Sequence, residues 1–123
     1  MGVFSKKKVA LDLQAISTLI SEGATVDGDL KAPAFTRIDG KVTGNVHVDE
    51  GLILGEKGTI QGNVITKQVI VYGIVHGNIS VQSLEIKATG KITGDIETAT
   101  LQVEAGGVYN GKLAMTSADT KHK

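Results

Sequence analysis

The sequence of 123 residues contains no cysteine and very few aromatic residues. The absence of cysteine excludes disulfide bonds and thiolate chemistry, and it is compatible with a reducing compartment. Because aromatic residues make up 3% of the chain, a core built on large rings is not expected. The abundant residues are Val, Ile, Leu, Ala and Gly, which suit a narrow, layered core.

Long apolar segments are also missing. No apolar run approaches the ~18 residues that a membrane-spanning helix needs. The amino terminus does not resemble a signal peptide, because Asp12, Gln14 and Ser17 interrupt any apolar segment after the lysines. We therefore expect neither a membrane-spanning helix nor a secretory signal.

The formal net charge of zero conceals basic ends and an acidic body. Residues 9–116 contain 8 basic and 12 acidic side chains, a net charge of −4, whereas residues 1–8 contain three lysines and no acid. The body has neither a basic stripe nor interleaved aromatic residues. This distribution argues against nucleic acid as a partner.

What the sequence does contain is a repeat whose best copy is GKITGDI at residues 90–96. Its second glycine recurs at intervals of 16, 18, 15, 17 and 17 residues. One such unit is too short to bury its own apolar face, so neighbouring units must stack on each other. The copies are ATVDGDL (24–30), GKVTGNV (40–46), GTIQGNV (58–64), GIVHGNI (73–79), GKITGDI (90–96) and GVYNGKL (107–113).

Apolar and polar residues alternate within and around each copy, which is the pattern of short strands with one buried face. Glycine followed by Asn or Asp marks the corners between strands, and Asn45, Asn63 and Asn78 are predicted to form a stabilising ladder there. The 15-residue interval is shortened after Val71, at a corner, so the core columns keep their phase. The sequence therefore predicts an all-β, single-domain, three-sided β-solenoid of about six turns with flexible termini.

The order and spacing of these copies resemble the bactofilins, bacterial polymer-forming cytoskeletal proteins. The resemblance is carried by TLISEGATVDGDL, DGKVTGNV, GTIQGNV and GKITGDI, and by a short, basic amino terminus that contains Phe. It implies a right-handed parallel β-helix that joins end to end into filaments without a nucleotide, and that often lies on the inner membrane and localises cell-shape and envelope factors. We expect a flexible tail at 1–17, a polymerisation domain at 18–116 and a short disordered tail at 117–123.

The amino-terminal tail has the composition of a weak membrane anchor. Each lysine near an anionic leaflet contributes about 1 kcal/mol of binding free energy, and inserted Val and Phe side chains add to it. The alternative is a solubilising, disordered terminus, and residues 9–18, which have helical spacing, form either a linker or a cap. The candidate membrane-binding residues are Val3, Phe4, Lys6, Lys7 and Lys8.

The end turns of a solenoid lack a neighbour on one side, so they are the predicted polymer interfaces. The alternative is that residues 9–18 or the carboxyl-terminal tail fold over them as caps. The candidate interface residues are Ile20, Val26 and Leu30 at the first turn, and Val103, Val108, Tyr109, Leu113 and Met115 at the last. The same protein is thus the expected partner, together with the inner face of the cytoplasmic membrane and cell-wall or morphogenesis proteins.

No constellation of catalytic or metal-binding residues accompanies the repeat. His47 and His76 occupy different columns and are expected to face solvent, and no copy supplies a phosphate-binding loop. We therefore predict no enzyme activity, no metal and no cofactor. Two alternatives are a left-handed β-helix acyltransferase, disfavoured by the 15 to 18 drift of the intervals, and a monomeric solenoid that binds a surface.

Overall fold

A computed structural model describes residues 18–116, within which the chain forms sixteen β-strands and no helix. The strands are short because the chain turns a corner after every few residues. They are β1 (Thr18–Ile20), β2 (Thr25–Asp27), β3 (Leu30–Ala32), β4 (Phe35–Ile38), β5 (Lys41–Thr43), β6 (Val46–Val48), β7 (Gly51–Leu54), β8 (Thr59–Gln61), β9 (Val64–Val71), β10 (Ile74–His76), β11 (Ile79–Ile86), β12 (Lys91–Thr93), β13 (Ile96–Thr98), β14 (Thr100–Val103), β15 (Val108–Asn110) and β16 (Leu113–Met115).

These strands stack in parallel on three faces. The A face contains β1, β4, β7, the second half of β9, the second half of β11, and β14. The B face contains β2, β5, β8, β10, β12 and β15. The C face contains β3, β6, the first half of β9, the first half of β11, β13 and β16. Each turn of the coil contributes one strand to each face, so the predicted three-sided solenoid of six turns is confirmed.

The core is a set of straight columns that run through the stacked turns. On the B face the register pairs Val42 with Ile60, Ile60 with Val75, and Val75 with Ile92. These four side chains are at most 1% exposed. Parallel strands in register place equivalent residues of successive turns directly above one another, about 4.8 Å apart. The apolar columns read from the repeat are therefore the actual layers of the core.

The corner between the B and C faces is always two residues long and contains the second glycine of each copy. There a backbone N–H of each turn donates to the side-chain oxygen of the turn before it. Asn63 N donates to Asn45 Oδ1 at 3.0 Å, and Asn78 N donates to Asn63 Oδ1 at 3.1 Å. The ladder extends from Asp29 to the backbone of Lys112, and it confirms the predicted role of these asparagines.

The corner between the A and B faces absorbs the changes in repeat length. Two residues connect Val71 to Ile74, whereas four residues connect Ile86 to Lys91. The strands on either side nevertheless stay in register, since Val71 pairs with Ile86 and Ile74 pairs with Lys91. Shortening a corner therefore leaves the core columns in phase, as the sequence predicts.

Candidate polymer interfaces at the end turns

The two end turns expose the same columns that the inner turns bury. On the B face, the inner members of the column are at most 1% exposed, but Val26 in the first turn and Tyr109 in the last are only partly buried. On the C face, Leu30 and Leu113 are likewise partly buried and pack against the core from its two ends. Their position, and not their residue type, uncovers them.

The carboxyl-terminal turn is the more open of the two. Val103 and Met115 continue core columns of the A and C faces, yet they are 43% and 53% exposed. At the amino-terminal turn the equivalent residues, Ile20 and Ala32, are 8% and 2% exposed. The last turn thus presents a larger apolar surface along the axis of the solenoid.

Val108 differs from the other candidate interface residues. Its register places it in the outward column of the B face, after Ile74 and Lys91, and not in a core column. Ile74, in an inner turn, is already 37% exposed, so the 43% exposure of Val108 does not require an end position. The alternation of the last copy could have revealed this, since Tyr109 is its inward residue.

The backbone is also open at both ends. Among the described strands, β2 and β15 are the outermost members of the B-face sheet, with β5 and β12 as their respective neighbours. The peptide groups that an inner strand would bond to a further turn therefore face outward. Unpaired strand edges of this kind are templates for another strand.

The remaining surface of residues 18–116 offers little for catalysis. His47 lies on the C face and His76 on the B face, both are exposed, and no described group of three His, Cys, Asp or Glu residues could hold a metal ion. The pKa of Lys87 is raised because its ammonium group hydrogen-bonds to Glu85 and, at 3.3 Å, to Glu104. A lysine held in its charged form is a poor general base.

The membrane-binding candidates Val3, Phe4, Lys6, Lys7 and Lys8 lie outside the described residues. In the described part of the chain we find no helix of the length and hydrophobicity needed to cross a bilayer. The predicted attachment therefore stays a prediction, as do the boundaries of the two tails.

Comparison with known proteins identifies the family. The family model for bactofilin, described as polymer-forming cytoskeletal, matches residues 18–114. The chain belongs to the bactofilin family. It is therefore a member of a family of polymer-forming cytoskeletal proteins, and the family resemblance seen in the sequence is confirmed.

Three relatives extend this comparison. Bactofilin BacP of Myxococcus xanthus (strain DK1622) is 26% identical over 87 residues, which cover 70% of this chain but 36% of that protein. The bactofilin of Thermus thermophilus in its double helical filaments, seen by cryo-electron microscopy, has 27% identity and a TM-score of 0.69, with 78% of this chain and 98% of that chain covered. A crystal structure of a mutant Thermus thermophilus bactofilin has 30% identity and a TM-score of 0.69, covering 71% and 98%.

Proposed function

We propose that this bactofilin is a non-enzymatic scaffold that polymerises end to end, without a nucleotide, through the first and last turns of its solenoid. The observation that carries the proposal is the uncovering of the core columns at both ends, from Tyr109, Leu113 and Met115 at one end to Val26 and Leu30 at the other. Stacking a second copy on either end would bury these side chains and give the outermost strands a neighbour. The same physics that stacks one turn on the next then joins one molecule to the next.

The junction is tested by a charge placed inside it. Leu113 lies in a core column at the open end, and Ala114, the next residue, points outward from the same strand and is exposed. An unpaired buried charge costs at least about 3 kcal/mol, which corresponds to a loss of roughly a hundredfold or more in junction affinity. We expect Leu113→Arg to remain a folded, β-rich monomer, while Ala114→Arg still forms filaments.

Negative-stain electron microscopy, sedimentation and circular dichroism without added nucleotide measure both outcomes. Filaments of normal length from Leu113→Arg would overturn the proposed junction. Equal disruption by Ala114→Arg would instead place the contact on the side of the solenoid. Val108→Arg is expected to have the weaker effect of the two candidates in the last turn, because Val108 lies in an outward column.

We also propose that the protein works in the cytoplasm, on the inner face of the cytoplasmic membrane, where its filaments organise cell-shape or envelope factors. Support comes from Val3 and Phe4 followed by Lys6, Lys7 and Lys8. Three lysines supply about 3 kcal/mol of attraction to anionic lipid, which is weak for one copy. Filaments multiply such anchors, so avidity makes the attachment firm.

Deleting residues 2–8 is expected to abolish cosedimentation with vesicles that contain anionic lipid, whereas the intact chain sediments with them. Replacing Lys6, Lys7 and Lys8 by Gln should weaken this binding and make it insensitive to salt, because the electrostatic attraction is removed. Filament formation of both variants serves as the control for folding. Unchanged binding by the deletion variant would leave the amino terminus as a solubilising tail.

A further inference from the structure

The outer surface of the A face contains an isoleucine that is buried on the wrong side of the strand. Alternation along β7 places Leu52 and Leu54 in the core and directs Ile53 outward. Ile53 is nevertheless 1% exposed. Ile65, the outward residue of the C face in the same turn, is 50% exposed. A shallow outer sheet face does not by itself bury an isoleucine.

The neighbours of Ile53 form an apolar patch on this face. Register places Arg37 on the turn before it and Ile70 on the turn after it, and both are partly buried, unlike the exposed outward residues of the C face. Arg37 is held at the rim by Asp39, with Nε 2.8 Å from Oδ2. We call this the outer A-face patch; it comprises Leu19, Phe35, Ile53 and Ile70, which are outward residues of the first four turns.

We propose that residues 9–17 of the same chain pack on the outer A-face patch. The strand β1 begins at Thr18 on the A face and pairs with Thr36, so the preceding residues start beside Phe35 at the edge of the patch. The segment VALDLQAIS carries Val9, Leu13 and Ile16 at helical spacing. Its apolar side therefore matches the chemistry of the patch.

The dimensions of segment and patch agree. From Leu19 to Ile70 the outward column crosses three steps between neighbouring strands, about 14 Å. Nine residues in a helix extend about 13 Å, so the segment covers this distance along the solenoid axis. On this arrangement residues 9–17 lie along the side of the solenoid and do not cap its first turn, which leaves that turn open to another copy.

The test uses the absence of cysteine, because a single introduced thiol reports on its own surroundings. In the full chain, Ile53→Cys should react with a maleimide about tenfold or more slowly than Ile65→Cys, since thiol reactivity requires access. Adding Leu13→Asp should release the protection of Ile53→Cys and leave the reaction of Ile65→Cys unchanged. Mild oxidation should join Leu13→Cys to Ile53→Cys in the double variant, but should not join Leu13→Cys to Ile65→Cys.

Three results would overturn the proposal. Fast labelling of Ile53→Cys in the otherwise unchanged chain would show an uncovered patch. Protection that survives Leu13→Asp would mean that the neighbouring side chains cover Ile53 without the segment. Protection that disappears on dilution would assign the patch to a second copy. Where Ile53→Cys does not fold by circular dichroism, Ile70→Cys repeats the cross-linking experiment at the next turn.

Discussion

Gly62 offers a quantitative test of how closely the turns stack at the corner between the B and C faces. Its φ is +155°, and a Cβ at this position would lie 2.0 Å from the carbonyl oxygen of Gly44 in the preceding turn. Gly28 occupies the same corner of the first turn with a φ of +122°, and a Cβ there would meet nothing within 4 Å. The two glycines therefore share the positive φ, and only Gly62 combines it with a backbone contact.

The difference between the two alanine variants isolates the contact. Backbone strain at a positive φ costs about 1–3 kcal/mol in either variant. Relieving a 2.0 Å approach requires two turns to separate by more than an ångström, and such overpacking costs a further 1–3 kcal/mol or so. We expect Gly62→Ala to lower the free energy of unfolding by about 2 kcal/mol more than Gly28→Ala does.

Urea unfolding followed by circular dichroism measures this difference. Both substitutions are made in the Leu113→Arg background, because polymerisation would otherwise add to the apparent stability. With an m-value of about 1–3 kcal/mol/M, the midpoint of Gly62→Ala should lie roughly 1 M below that of Gly28→Ala. Equal midpoints would refute the reasoning, since the glycine would then be required for its φ and not for the close approach of the turns.

Two further pairs of substitutions test the ladder and the core. Asn63→Ala should lower the free energy of unfolding by about 1 kcal/mol, because Asn78 N loses the acceptor 3.1 Å away. Asn63→Asp, which keeps an acceptor oxygen, should lose less in the same thermal unfolding experiment, and equal losses would contradict the ladder. Thr36 is fully buried, and its Oγ1 has no hydrogen-bond partner among residues 18–116, so Thr36→Val should raise the free energy of unfolding by about 1 kcal/mol. Thr98→Val should lower it by a similar amount, because Thr98 Oγ1 donates to the Thr100 carbonyl at 2.8 Å; a gain at Thr98 or a loss at Thr36 would reverse the assignment.

The columns and corners of the solenoid could be predicted because each repeats a local rule. A strand alternates its side chains between two faces, so Val42 and Val46 had to point inward once the strands were placed. Glycine marks each corner of positive φ, and the following Asn or Asp carries an acceptor to the next turn. Six copies of these signals determine the phase even where one copy is degenerate.

The features that sequence reasoning missed depend on surfaces outside a single copy of the repeat. The outward position of Ile53 follows from alternation between Leu52 and Leu54, but its burial depends on what lies over the sheet. Val108 was included among the interface residues because it is apolar and near the end of the chain. Its register, beside Lys91, shows that being near the last turn does not place a side chain at the end surface.

The end turns present a different problem, because their exposure has no local signature. Leu113 continues the column of Val46, Val64 and Ile79, and nothing in its own copy separates it from these buried residues. In a stacked array each inner turn is covered on both sides, whereas the first and last turns retain one uncovered side however many turns lie between them. Lengthening the solenoid therefore adds stability without removing its apolar ends. A cap or a second molecule is the physical remedy, and the polymer-forming family to which this chain belongs favours the second molecule.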